Sequence, residues 1–188
     1  MGRIEKEKVP LSIIMAGGKG VRFGRSDKYL SLIGGIPILY RTFKTAGTFS
    51  NKVVICTKKE FKSTINYCEE MKIDYITEEE EDYVKAIRYA LCRLDIFPAM
   101  VISGDIFVFN ITHLTDLISF AESSKAWVIT LLQRGRPVGI SVFKRCPEKN
   151  EELPNESFNV NADFCVNVNT LRDYEIALEL YSSKSDSI

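Results

Sequence analysis

Short apolar runs alternate with helical patterns along most of this chain, and that alternation limits the fold more than any single motif. Leu11–Met15, Lys52–Thr57, Ile73–Thr77, Ala99–Ser103 and Ala126–Leu132 read as buried strands. Between them, Phe61, Thr64, Ile65 and Cys68 fall on one helical face. Val84, Ile87, Leu91 and Leu94 share another, and Leu114, Leu117, Ile118 and Ala121 a third. Strands separated by helices need crossover connections. The pattern therefore predicts an α/β fold: a Rossmann-like, mainly parallel sheet with helices on both faces.

The later part of the chain is less regular. Pro137–Phe143 and Phe164–Val168 read as strands, and the polar stretch Cys146–Asn161 as a loop or small excursion. Thr170–Tyr181 reads as a helix, with Thr170 as N-cap, Asp173 three positions on, and Tyr174, Ala177, Leu178 and Tyr181 on one face. The length of 188 residues suits one domain spanning 1–188, with 1–10 and 183–188 as loose termini.

Composition excludes several function classes. Lys+Arg and Asp+Glu both number 25, and this zero net charge argues against a general nucleic-acid binder. No apolar run approaches the roughly 18–20 residues that span a bilayer. Met1–Pro10 lacks the apolar core of a signal peptide, so a cytoplasmic location is expected. The five cysteines are scattered with no C-x-x-C pair, which predicts reduced, mostly buried thiols rather than disulfides or zinc ligands. His113 is the one histidine, which rules out a multi-histidine metal site within the chain. It falls in the first turn of a predicted helix, and a catalytic role is not expected of it.

The segment from Met15 to Lys28 carries the chemistry. A buried strand delivers the chain to the carboxyl edge of the sheet, where open α/β sheets bind ligands. Gly17, Gly18 and Gly20 lack a Cβ, so backbone N–H groups can approach phosphate oxygens closely. Lys19, Arg22, Arg25 and Lys28 add positive charge, opposed locally by Asp27 alone. The ligand this predicts is a nucleoside triphosphate. A Walker A string is absent, and the dinucleotide pattern fails because Phe23 stands where its last glycine belongs.

Ala16-Gly17-Gly18-Lys19-Gly20-x-Arg22-x-Gly24-x-x-x-Lys28 resembles the signature of the MobA-like nucleotidyltransferases. That family shares the nucleotide-diphospho-sugar transferase fold. The resemblance implies that Ala16, Gly17, Gly18, Lys19 and Gly20 wrap the nucleotide, with Thr57 and Thr77 nearby, and that Arg22 and Lys28 face the phosphates as the catalytic cations. Two positions depart from the family pattern: Phe23 replaces a Met or Leu, and Tyr29 replaces a small residue or proline. The family places its Mg²⁺-binding aspartate after the fourth strand, which points to Asp105. A second ligand near the last strand points to Asn167, or to Asn169, whose competing role is to cap the following helix.

Arg136–Val142 and Val166–Asp173 further resemble the archaeal-type GTP:adenosylcobinamide-phosphate guanylyltransferases. That branch implies GTP and a phosphorylated small-molecule acceptor as partners, with Pro137 and Gly139 beside the acceptor, and family members often form homodimers. Molybdenum-cofactor guanylyltransferases and sugar- or polyol-phosphate nucleotidyltransferases share the same loop. A catalytically degenerate nucleotide-binding module is a further reading. One segment departs from the branch: a glycine-bearing stretch after the third strand is replaced by Glu78-Glu79-Glu80-Glu81-Asp82. A solvated helix start is the expectation for this run. The alternative is that one of its carboxylates reads a guanine edge.

Overall fold

The computed structural model describes residues 8–18 and 28–185. In chain order the strands are β1 (Val9–Ala16), β2 (Leu32–Ile33), β3 (Ile36–Pro37), β4 (Ser50–Lys58), β5 (Tyr75–Glu78), β6 (Ala99–Ser103), β7 (Ile106–Val108), β8 (Val128–Gln133), β9 (Arg136–Phe143), β10 (Asn155–Val160) and β11 (Cys165–Asn167). The helices are α1 (Ile38–Phe49), α2 (Lys62–Glu70), α3 (Tyr83–Leu94), α4 (Thr112–Ser123) and α5 (Leu171–Ser185). Seven strands form the main sheet in the order β10-β8-β9-β6-β1-β4-β5. Its strands run parallel except β9, which lies antiparallel to β6 and β8.

β1 is apolar on both sides because both sides are covered. Leu11, Ile13 and Met15 pack with Ala86, Ala90 and Leu91 of α3. Ile14 and Ala16 belong to the opposite core, with Leu39, Ala46 and Phe49 of α1 and Leu114, Leu117 and Ile118 of α4. This is the doubly covered sheet that the alternating pattern predicts. No helix among the described residues is long and apolar enough to cross a membrane.

The structure corrects the sequence reading in several places. Cys146–Asn161 contains β10, which lies parallel to β8 at the sheet edge. Its sequence is polar because an edge strand buries little, and only Val160 is fully covered. Val9 and Pro10 belong to β1 rather than to a loose terminus, and α5 continues to Ser185. Helix α1 escaped the reading, although Ile38, Leu39, Thr42, Ala46 and Phe49 are its buried face. Cys92 and Cys146 are joined in a disulfide with Cα atoms 5.5 Å apart, whereas Cys56, Cys68 and Cys165 are free and buried as expected. Two cysteines 54 residues apart give no local signal of pairing. Only the fold brings the end of α3 to the segment after β9. His113 sits in the first turn of α4 with its ring 5.3 Å from that of Phe164.

Candidate active site

β1 ends at Ala16 and hands the chain to Gly17 and Gly18. Lys19, Gly20, Arg22, Phe23, Gly24 and Arg25 lie outside the described residues. The chain returns at a 3-10 turn, Lys28–Leu30, whose first two residues are buried. Lys28 Nζ forms an ion pair with Asp105 Oδ2, and its second partner is Asn169 Oδ1 at 3.4 Å. The other oxygen of Asp105 accepts a 2.6 Å hydrogen bond from Ser103 Oγ. Asp105 thus stands at the carboxyl end of β6, next to the central strand that carries the glycine turn.

Backbone contacts hold these two chain segments together. Gly104 N–H donates to the Met15 carbonyl at 2.8 Å. A Cβ on Gly104 would lie 3.0 Å from that carbonyl oxygen and 3.3 Å from Tyr29 Cδ1. Tyr29 accepts a 2.7 Å hydrogen bond from Gly18 N–H through its hydroxyl. The family's small residue at this position is therefore replaced by a side chain that spans from Lys28 back to the glycine turn. Burial, and then the Asp105 charge, push the Tyr29 phenol well above its ordinary range.

β11 pairs with β7 so that Asn167 lies opposite Ile106, one residue beyond Asp105. Asn167 Oδ1 is buried without a hydrogen-bond partner among the described residues. Asn169 does not cap α5: Asp173 accepts from the backbone N–H groups of Asn169 and Thr170, and Thr170 Oγ1 accepts from Asp173 N–H. That capping box is the one expected from Thr170 and Asp173. Gly139 crosses close to β6, where a Cβ would lie 3.0 Å from Ser103 Cβ and 4.0 Å from Asn167 Nδ2. Its φ of +75° also favours glycine. Pro137 lies on the exposed end of β9. Thr57 is fully buried, and its hydroxyl donates to the Ala16 carbonyl at 2.8 Å, bracing the end of β1. Thr77 is its register partner on β5.

On the far side of the glycine turn is a cleft of about 350 Å³, bordered by Gly17 and Gly18, Lys58, Tyr83 and three acidic residues, Glu78, Glu80 and Glu81. The acidic run is therefore not a uniformly solvated helix start. Glu78 is buried and pairs with Lys58 at 3.3 Å across the ends of β4 and β5. Glu79 pairs with Lys59 on the surface. Asp82 alone performs the helix-start role, accepting from Lys85 N–H at 3.0 Å. Charge counting along the sequence could not separate these fates, because they depend on β5 ending beside Lys58.

The donor set fits a magnesium ion accompanied by phosphates. No group of three or more His, Cys, Asp or Glu gathers among the described residues, so the chain there builds no closed metal cage. Mg²⁺ needs only one or two protein oxygens when phosphates and water complete its shell. Asp105 offers a carboxylate, and Asn167 Oδ1, which has no hydrogen-bond partner among the described residues, offers a second hard oxygen nearby.

A covered, mainly parallel sheet with a glycine turn, a buried lysine and an aspartate at its carboxyl edge describes a nucleotide-transferring α/β enzyme. Residues 12–158 match the family model of the MobA-like NTP transferase domain, and the chain belongs to that family. No curated relative matches the chain by sequence. Solved structures share its fold. HddC from Yersinia pseudotuberculosis complexed with GMP-PN aligns with a TM-score of 0.71 at 16% identity, covering 91% of this chain and 99% of that one. The inositol-1-phosphate CTP transferase of T. maritima aligns at 0.70 with 10% identity, covering 94% and 96%. CMP:2-keto-3-deoxy-manno-octonic acid synthetase complexed with CTP aligns at 0.71 with 14% identity, covering 95% and 100%.

Proposed function

We propose that this protein transfers GMP from GTP to a phosphorylated small-molecule acceptor, adenosylcobinamide phosphate foremost, with Mg²⁺ as cofactor and release of pyrophosphate. The observation that carries the reading is the meeting of Lys28, Asp105 and Asn169 beside the glycine turn, next to a cleft of nucleoside size. Nucleotide contacts are assigned to Ala16, Gly17, Gly18, Lys19, Gly20, Thr57 and Thr77. Arg22 and Lys28 take the phosphates, Asp105 and Asn167 the metal, and Pro137 and Gly139 the acceptor side.

An oxygen of the acceptor phosphate attacks the α-phosphorus, the bond from that phosphorus to the bridging oxygen breaks, and pyrophosphate leaves with the electron pair. A phosphate monoester is already largely ionised at neutral pH, so no dedicated general base is needed. Lys28 aligns the triphosphate and offsets developing charge. When bound, Mg²⁺ supplies further neutralisation of the phosphate oxygens. A cytoplasmic location and a homodimer accompany this reading.

The choice of guanine rests on the cleft carboxylates. Glu78 is committed to Lys58 and to the Glu80 N–H, and Glu79 to Lys59. Glu80 and Glu81 are the cleft carboxylates left to accept a base. A carboxylate accepts two neighbouring N–H donors at once, and guanine offers that pair in its ring N–H and amino group. Thermal-shift measurement with GTP, ATP, CTP and UTP, with and without Mg²⁺, tests the reading. GTP preference, weakened when Glu80 or Glu81 becomes Gln, supports it. A CTP or UTP preference overturns the guanylyl assignment in favour of sugar- or polyol-phosphate chemistry. Tight GTP binding without pyrophosphate release marks a binding module.

A further inference from the structure

Tyr29 follows Lys28 in the 3-10 turn and is 2% exposed, at a position where the family pattern has a small residue or proline. Its ring packs against the backbone of Gly104, where an added Cβ would lie 3.3 Å from Tyr29 Cδ1, so the ring has little room to swing away. Lys28 Nζ lies 5.3 Å from the ring centroid. The hydroxyl accepts the Gly18 N–H at 2.7 Å across eleven positions of sequence. A backbone N–H is a single donor, so this amide of the glycine turn is already engaged by the phenol. A phenol that accepts a hydrogen bond still has its own proton to give. That proton meets no acceptor among the described residues. Burial, and then the Asp105 charge, keep it on the oxygen at neutral pH. A buried donor is costly to leave unmatched, and a ligand oxygen beside the turn would match it.

We propose that Tyr29 is a phosphate-binding residue: its hydroxyl takes the Gly18 amide and passes one donor on to an oxygen of the triphosphate. The inference rests on the nucleotide reading above and names a phosphate contact that the glycines alone do not make. With a small residue after the lysine, the Gly18 N–H would be left to meet the phosphate itself. Here the phenol stands in that place and carries the donor further from the backbone. The Gly18 N–H polarises the phenol and strengthens it as a donor. Space at Gly18 is kept for this contact. An added Cβ there would meet the Tyr29 oxygen at 2.9 Å, with no other described residue beyond its chain neighbours within 4 Å.

The test uses the full chain with inorganic tripolyphosphate, guanosine and a non-hydrolysable GTP analogue, followed by isothermal titration calorimetry. Tyr29→Phe keeps the ring and removes the hydroxyl. It is expected to weaken tripolyphosphate and the analogue by about tenfold, as loss of one hydrogen bond to a charged acceptor does, while guanosine binding holds. Gly18→Ala leaves the ring in the core but drives the hydroxyl off the amide, and the same phosphate-specific loss is expected. If Tyr29→Phe does not fold, Gly18→Ala decides the matter alone. In the double variant the new Cβ meets no hydroxyl, so the loss should not exceed the larger single one. Equal weakening of guanosine and tripolyphosphate marks a merely structural role and overturns the proposal. Tighter tripolyphosphate binding in Tyr29→Phe also overturns it, because the hydroxyl would then be competing with phosphate for the amide. Unchanged affinity in either single variant, or additive losses in the double, do the same. All of these outcomes leave the nucleotide reading intact. Failure of the unmodified protein to bind tripolyphosphate and the analogue overturns both.

Discussion

Lys28 and Asp105 form an ion pair whose side chains are each 7% exposed, although 77 residues separate them in the sequence. Two charges this well covered are costly to hold apart from one another. Removing one partner strands the other, a loss on the order of 3 kcal/mol. Lys28→Met and Asp105→Asn are each expected to lower stability in urea unfolding. The double variant should lose less than the sum of the two, because no charge is then stranded. Either single variant is also expected to lower nucleotidyl transfer by at least about a hundredfold, measured as pyrophosphate release.

The glycine turn depends on the acidic run behind it. A Cβ on Gly17 would meet Glu78 Oε1 at 2.8 Å. That oxygen ends a flexible side chain, but Lys58 pairs with it and the Glu80 N–H donates to the carboxylate's other oxygen, so the group is held in place. Gly17→Ala is therefore expected to lose about 1–3 kcal/mol through overpacking. Adding Glu78→Ala to Gly17→Ala removes the clash and leaves the Lys58 charge without its partner. The combined variant should thus recover the shape of the turn, seen as nucleotide binding by thermal shift, without recovering full stability.

Much of the fold was legible because burial on two faces leaves a plain trace. Val101 and Ile102 of β6, and Ile13 and Ile14 of β1, are apolar at consecutive positions because each side of the sheet is covered. The strand Ala99–Ser103 was read with the bounds observed. β10 was missed for the converse reason: Asn155, Glu156, Ser157 and Asn159 face solvent along an edge, and their polarity is what an edge strand permits. In the candidate site, Gly17, Gly18, Lys28 and Asp105 were legible from glycine and charge placed at strand ends. Ser103 and Lys58 were not singled out, because Ser103 acts only by bracing Asp105 and Lys58 acts through Glu78, 20 residues further on. Glu78 was read inside a solvated run because nothing local distinguishes it from Glu79. Only the parallel register of β4 and β5 sets it opposite Lys58.

The Cys92–Cys146 bond closes a long loop, tying the end of α3 to the segment after β9. Three of the five cysteines remain free. Thiol titration of protein denatured without reductant should accordingly find three thiols, and five after reduction. Reduction is expected to lower stability by about 2–4 kcal/mol, as loss of a cross-link over such a loop does. Cys92→Ala should show the same loss without reductant and no further loss with it.

The buried thiols set how the fold responds to alkali. Burial, and then the charge of Glu78, push Cys56 from 9.0 up to about 12. Burial, followed by a nearby carboxylate, raises Cys165 to about 12 and Cys68 to about 11. Between pH 9 and these values the unfolded thiols have lost their protons while the native ones keep theirs. The native state then binds more protons, so unfolding becomes easier as pH rises. Each buried thiol is expected to subtract on the order of 1 kcal/mol by pH 10. Urea midpoints measured from pH 8 to 10.5 should fall steadily. Cys56→Ala costs some packing at pH 8 but should flatten the decline by one thiol's share. A midpoint independent of pH over that range would show that these thiols are not protonated and buried in the native fold.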